Sequence, residues 1–155
     1  MNHLLTASLF VAMALSVPSP AVAQTFPPSV TQKIRAAQKE VKTIGLEEYR
    51  KVVESPGEAL IIDVREPQEF AAGHVPGAVN IPRGLVEFQI WKQVGFPAKP
   101  DTNRPVYLQC QNGNRASLAA QSLAELGFTN TTAAIENQNI IFGFPVDVRF
   151  AVNIL

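Results

Sequence analysis

The chain has 155 residues but only one cysteine, Cys110, two histidines and one tryptophan. A single cysteine excludes an internal disulfide framework and any metal site built from several thiolates. His3 and His74 are the only imidazoles, so no metal site is expected. Net charge is also missing, because 13 Lys and Arg offset 13 Asp and Glu. The sequence therefore carries no basic footprint for nucleic acid or for an anionic membrane surface. Nor is there an apolar run long enough to span a bilayer. Leu4 to Val17 is about 14 residues long, against the ~20 that a transmembrane helix needs.

What is present is the composition of one globular domain, 46% hydrophobic and 17% charged. The first 23 residues stand apart, with no Lys, Arg, Asp or Glu among them. Their apolar run ends at Pro18 and Pro20, and Ala21-Val22-Ala23 fits the A-x-A pattern of a signal-peptidase site. Cleavage is expected between Ala23 and Gln24, giving a signal peptide over 1–23 and an exported, most simply periplasmic, protein with no membrane association after cleavage. An unpaired thiol in an oxidising compartment is a liability unless it is buried or used.

Residues 24–41 read as a tether followed by a short helix over 30–41. From there strands and helices alternate to 147, and 148–155 form a tail. Strands are expected at 41–44, 59–62, 78–81, 105–109 and 131–135. Helices are expected at 46–54, 67–72, 85–94 and 115–126. In the helix over 85–94, Leu85, Phe88, Ile90 and Trp91 are placed on the inward face. The run Ala59-Leu60-Ile61-Ile62 is apolar throughout, as in a strand covered on both faces. This alternation predicts an α/β fold with a mostly parallel five-stranded sheet flanked by helices on both faces.

The chemistry concentrates in Cys110-Gln111-Asn112-Gly113-Asn114-Arg115, between an apolar strand and an alanine-rich helix. Ligands of parallel sheets bind beyond the carboxyl ends of strands. A thiol placed there meets a helix N-terminus, whose free N–H groups and dipole favour negative charge. Gly113 permits the positive φ of a tight loop whose amides converge, and Arg115 adds a permanent cation. Such a cradle suits a sulfur nucleophile that carries an anionic intermediate. A lone cysteine at a strand end also fits a small buried core residue. Residue types alone leave the two about even.

Three further segments decide between them. Ile62-Asp63-Val64-Arg65-Glu66, then Glu69-Phe70, then Gly73-His74-Val75-Pro76-Gly77-Ala78-Val79-Asn80-Ile81-Pro82 precede the Cys110 loop. In order and spacing they resemble the rhodanese family of sulfurtransferases, whose pattern is D-V-R-E, then G-H-I-P-G-A-x-N-I-P, then C-x-x-G-x-R. The resemblance runs from about Lys42 to Val146. It implies the rhodanese fold over 42–147 and a cycle with no metal or organic cofactor. In that cycle Cys110 attacks a donor such as thiosulfate, holds the sulfur as a persulfide, and passes it to cyanide or a thiol. The resemblance makes Cys110 the nucleophile and Arg115 the residue that orients the loop. The backbone of Gln111, Asn112, Gly113 and Asn114 becomes the substrate cradle. A small-molecule donor and acceptor and a protein sulfur acceptor follow from it, and a monomeric chain is expected.

Four residues separate Cys110 from Arg115 and Gln109 precedes the cysteine, whereas the family's phosphatase relatives have a loop one residue longer, usually after a histidine. Supporting roles are assigned to Asp63, which is expected to accept hydrogen bonds from neighbouring backbone, to Arg65 in a surface pair with Glu69, and to His74 as a structural turn residue. Arg83 is placed at the pocket mouth and Trp91 in the core.

The chain departs from the family after the fifth strand. Ala134-Ile135 stand where a Gly-Gly pair is usual and Asn139 where tryptophan is usual, although Gly143-Phe144-Pro145-Val146 is kept. With Arg115 as the only cation of the loop, a neutral or thiol-borne persulfide is expected to suit it better than thiosulfate. The rival reading is a catalytically weak module of the same fold, serving sulfur carriage or protein binding.

Overall fold

The computed structural model describes residues 26–135. The expected signal segment, the Gly143 to Val146 motif, Asn139 and the tail lie outside the described residues. Within them the order is α1 (Pro28–Glu40), β1 (Lys42–Ile44), α2 (Leu46–Glu54), β2 (Leu60–Asp63), α3 (Pro67–Ala71) and β3 (Val79–Asn80). A 3₁₀ turn (Arg83–Leu85) follows, then α4 (Val86–Gln93), β4 (Val106–Gln109), α5 (Asn114–Glu125) and β5 (Thr131–Ala134). The strands form one sheet in the order β1-β5-β4-β2-β3. Every pairing in it is parallel, so the expected mostly parallel sheet is parallel throughout.

Side chains alternate across a strand, and β2 shows what that does here. Leu60 and Ile62 enter a core shared with Val86 and Ile90 of α4 and with Ala116, Ala119, Ala120 and Leu123 of α5. Ile61 points the other way, into a second core with Ile44, Tyr49 of α2, Val75 and Ala134. Helices therefore cover both faces, which is why this strand has no polar position until Asp63. Alanine at three buried positions lets α5 lie close to β4 and β5. Gly127, at φ 90°, ends that helix, and the Phe128 N–H reaches back to the Leu123 carbonyl at 3.0 Å.

The inward face expected of α4 is corrected. Val86 and Ile90 are its buried residues, with Val94 just beyond the helix also buried, whereas Phe88 is 76% exposed and Leu85 43% exposed. Leu85 belongs to the 3₁₀ turn, so the helical phase begins one residue later. Phe88 then stands two residues from Val86, about 200° around the helix at ~100° per residue. Trp91 is half-buried and packs against Phe128 at 5.3 Å between ring centroids.

Candidate active site

β4 runs out at Gln109, so Cys110 lies at the carboxyl end of the sheet, and α5 begins four residues later at Asn114. Cys110 is fully buried and joins the core under α5, together with Leu108. Its Sγ accepts the Gly113 N–H at 3.2 Å. Gly113 adopts φ 89°, and a Cβ there would lie 2.7 Å from both Cα and Cγ2 of Ile135. The loop is thus pressed against the end of β5, where only glycine fits. Ser117 holds it from the other side, donating its N–H and its hydroxyl to the Gly113 carbonyl at 2.9 and 2.8 Å.

The remaining residues of the expected cradle are placed differently from Gly113. Gln111 and Asn112 are exposed and Asn114 is half-buried. The Asn114 N–H donates to Asn112 Oδ1 at 3.3 Å, so this amide is engaged within the loop. Among the described residues, the Gly113 amide is the backbone donor to the sulfur, and Arg115 also acts on it.

Arg115, in the first turn of α5, reaches across to α3. Its Nη1 and Nη2 donate to the two carboxylate oxygens of Glu69 at 2.6 and 2.8 Å. Both side chains are about a third exposed. The bonds from Arg115, aided by the Glu66 N–H, draw the Glu69 carboxyl down to about 2 against the opposing effect of burial. In return Glu69, and to a lesser extent the negative charge available at Cys110, hold Arg115 still more firmly in its charged form. Glu69 is fixed at both ends. It is also the third residue of a capping box, accepting the Glu66 N–H at 3.1 Å where Pro67 opens α3.

The expected Arg65–Glu69 surface pair is therefore corrected. Arg65 turns inward and is 5% exposed. Its Nε and Nη2 grip the Asp63 carboxylate at 2.7 to 3.0 Å, its backbone N–H adds a bond to Oδ1, and Nη2 also donates to the Gly73 carbonyl. Asp63 stands beside Gln109 in the β2–β4 register. Strand alternation puts both side chains on the Ile61 and Tyr107 face, opposite to the face that Cys110 joins. Asp63 consequently supports the Arg65 turn rather than the sulfur. Burial, together with the Asp63 charge, pushes the Tyr49 hydroxyl above its ordinary pKa. The Gln109 amide is fully buried, with no hydrogen-bond partner among the described residues.

His74 stacks on Phe70 with centroids 3.8 Å apart, and its Nδ1 lies 3.0 Å from the Phe70 carbonyl. Asn80 pins the segment after β2, its Nδ2 donating to the carbonyls of Asp63 and Arg65 at 2.9 Å each. Arg83, placed from sequence at the pocket mouth, instead pairs with Glu87 at 2.7 Å and donates to Ser122 Oγ. Ser122 is eight residues beyond Asn114 in α5, about 12 Å along the axis at 1.5 Å per residue.

Two features escaped the reading of the sequence, the Arg115–Glu69 pair and the buried Gln109 amide. The first had a signal: Pro67 opens α3 just past β2, at the sheet end where the Cys110 loop also lies. The second had a weaker one, a glutamine on a strand whose neighbours have helices on both faces.

Comparison with known proteins follows the same segments. The family model described as rhodanese-like domain matches residues 46–137. The chain is 42% identical over 92 residues to the uncharacterized protein YqhL of Bacillus subtilis, covering 59% of this chain and 65% of that protein. It is 27% identical over 100 residues to a thiosulfate:glutathione sulfurtransferase of Saccharomyces cerevisiae, covering 59% and 71%. Among solved structures, a human single-domain sulfurtransferase aligns with a TM-score of 0.53 at 30% identity, covering 66% of this chain and 95% of that one.

Proposed function

This chain belongs to the rhodanese-like domain family, and from that premise we propose that it is a sulfurtransferase working through a persulfide on Cys110. The observation that carries the proposal is the buried Cys110 sulfur at the base of a tight loop, receiving the Gly113 N–H with Arg115 in the next helical turn. The sulfurtransferase names of the yeast and human relatives support it.

In the first step the Cys110 thiolate attacks the outer sulfur of the donor. With thiosulfate, the donor S–S bond breaks, sulfite leaves with the bonding pair, and Cys110 carries a terminal sulfur with one negative charge. In the second, cyanide or a thiolate attacks that terminal sulfur, the cysteine S–S bond breaks, and the Cys110 thiolate is restored. The intermediate is anionic throughout. The Gly113 N–H and the α5 N-terminus stabilise it as fixed dipoles that need no reorganisation, while Arg115, held by Glu69, orients the loop. Burial keeps water and stray oxidants from the persulfide. Gln111, Asn112 and Asn114 form the rim over which donor and acceptor approach, and a protein thiol is an acceptor of the same chemistry.

Thiocyanate formation from thiosulfate and cyanide tests the proposal. Turnover in the wild-type protein and none in Cys110→Ser is expected. Turnover that survives Cys110→Ser would overturn it, and a protein that loads sulfur without releasing it would instead be a carrier. We also propose export: the protein recovered from its host should begin at Gln24 as a monomer, and retention of residues 1–23 would contradict this.

A further inference from the structure

The cation acting on the sulfur, Arg115, is occupied. Arg115 gives both terminal nitrogens to Glu69, Arg65 is turned inward onto Asp63, and Arg83 pairs with Glu87 well along α5 from the loop. Arg115 interacts with both the Glu69 carboxylate and the Cys110 sulfur, so the ion pair presents little net charge to an incoming donor. We infer that Glu69 is a specificity-determining residue, neutralising Arg115 so that the site disfavours dianionic donors such as thiosulfate and favours thiol-borne persulfides. The inference rests on the sulfurtransferase reading above and names the donor class that the same site prefers.

Charge counts show why one carboxylate has this reach. Thiolate and thiosulfate meet with three negative charges, and a persulfide Cys110 and sulfite leave with the same three. A thiolate meeting a neutral hydropersulfide R–S–SH has one. Attack on its outer sulfur breaks the donor S–S bond, leaves the proton on the transferred sulfur, and releases RS⁻. A negative charge on Glu69 therefore opposes the first encounter about twice as strongly as it would a monoanion, and leaves the second nearly untouched. Removing it about 7–8 Å away, with water-like screening, is worth roughly fivefold to tenfold for a dianion.

The test uses Glu69→Gln and Glu69→Asp in the full chain with two independent readouts. The first is the rate of sulfur loading on Cys110 from thiosulfate and from 2-hydroxyethyl hydropersulfide, an uncharged donor at a mildly acidic pH where its S–H is retained. The second is the rate of Cys110 alkylation by anionic iodoacetate and by neutral iodoacetamide, which requires no sulfur transfer. Glu69→Gln should raise the thiosulfate-to-persulfide ratio roughly fivefold to tenfold at low salt, and raise the iodoacetate-to-iodoacetamide ratio in the same direction by less. Both gains should shrink in ~1 M salt. Glu69→Asp keeps the charge and should keep wild-type ratios. Ratios unchanged in Glu69→Gln, or equal losses with every reagent, would overturn the inference and leave Glu69 a structural role. Wild-type protein that loads sulfur from neither donor while the alkylation ratio still shifts would overturn the sulfur-transfer reading rather than the charge effect.

Discussion

Replacing Gly113 with alanine tests the loop where its geometry is least forgiving. The residue adopts φ 89°, and a Cβ would fall 2.7 Å from two atoms of Ile135 and 2.9 Å from the Ala134 carbonyl oxygen. Forcing an L side chain into the left-handed region costs about 1–2 kcal/mol. Overpacking against backbone atoms that cannot swing aside adds about 1–3 kcal/mol. The expected loss is thus about 2–5 kcal/mol, a large fraction of the stability of a small domain. Gly57 provides the control, because it has φ 56° and nothing within 4 Å of an added Cβ. Gly57→Ala should cost only the conformational part, about 1–2 kcal/mol. Urea unfolding of the two variants gives both numbers, and the difference isolates the contact with β5. Sulfur loading should fall in Gly113→Ala alone, since relieving the clash moves the N–H that the Cys110 sulfur accepts. A Gly113→Ala protein as stable as Gly57→Ala, with wild-type loading, would refute the claim that β5 fixes the cradle.

Other outcomes follow from the same contacts. Asp63→Asn leaves the buried Arg65 charge without its counterion and should cost about 3–5 kcal/mol by urea unfolding, whereas replacing both partners with apolar residues of similar volume should cost much less. Gln109→Met removes a buried amide that has no partner among the described residues at nearly constant volume and should be neutral or stabilising by about 1 kcal/mol; a loss above about 2 kcal/mol would contradict the environment described. Glu69 titrates at about 2 when folded, below its ordinary value. Its contribution is therefore complete above the unfolded value near 4.5 and is lost as pH falls from there toward 2. Because the pair is about a third exposed, the contribution should not exceed about 1 kcal/mol. The stability difference between wild type and Glu69→Gln should disappear over that interval, and a constant difference would show that the pair is not its source.

Much of the fold was legible because this sheet is covered on both faces. Such strands appear as short apolar runs, as in Leu60-Ile61-Ile62, and the turn residues between them mark the connections. The orientation of α4 was not legible, because the 3₁₀ turn ending at Leu85 shifts the helical phase and turns Phe88 to solvent. Pairing of charges was legible only locally. Spacing of four residues suggests that Arg65 meets Glu69, but that rule sees neighbours on one helix. It misses both the backward turn of Arg65 onto Asp63 and the arrival of Arg115 from 46 positions along the chain. The face on which Asp63 stands also needed the strand register, which puts it beside Gln109 and away from the sulfur.

The most direct measurement is the intact mass of the protein after exposure to thiosulfate and, separately, to glutathione persulfide, followed by cyanide, alongside Cys110→Ser. The account predicts a gain of one sulfur atom that requires Cys110 and disappears when cyanide is added. No gain from either donor, or a gain that survives in Cys110→Ser, would contradict it.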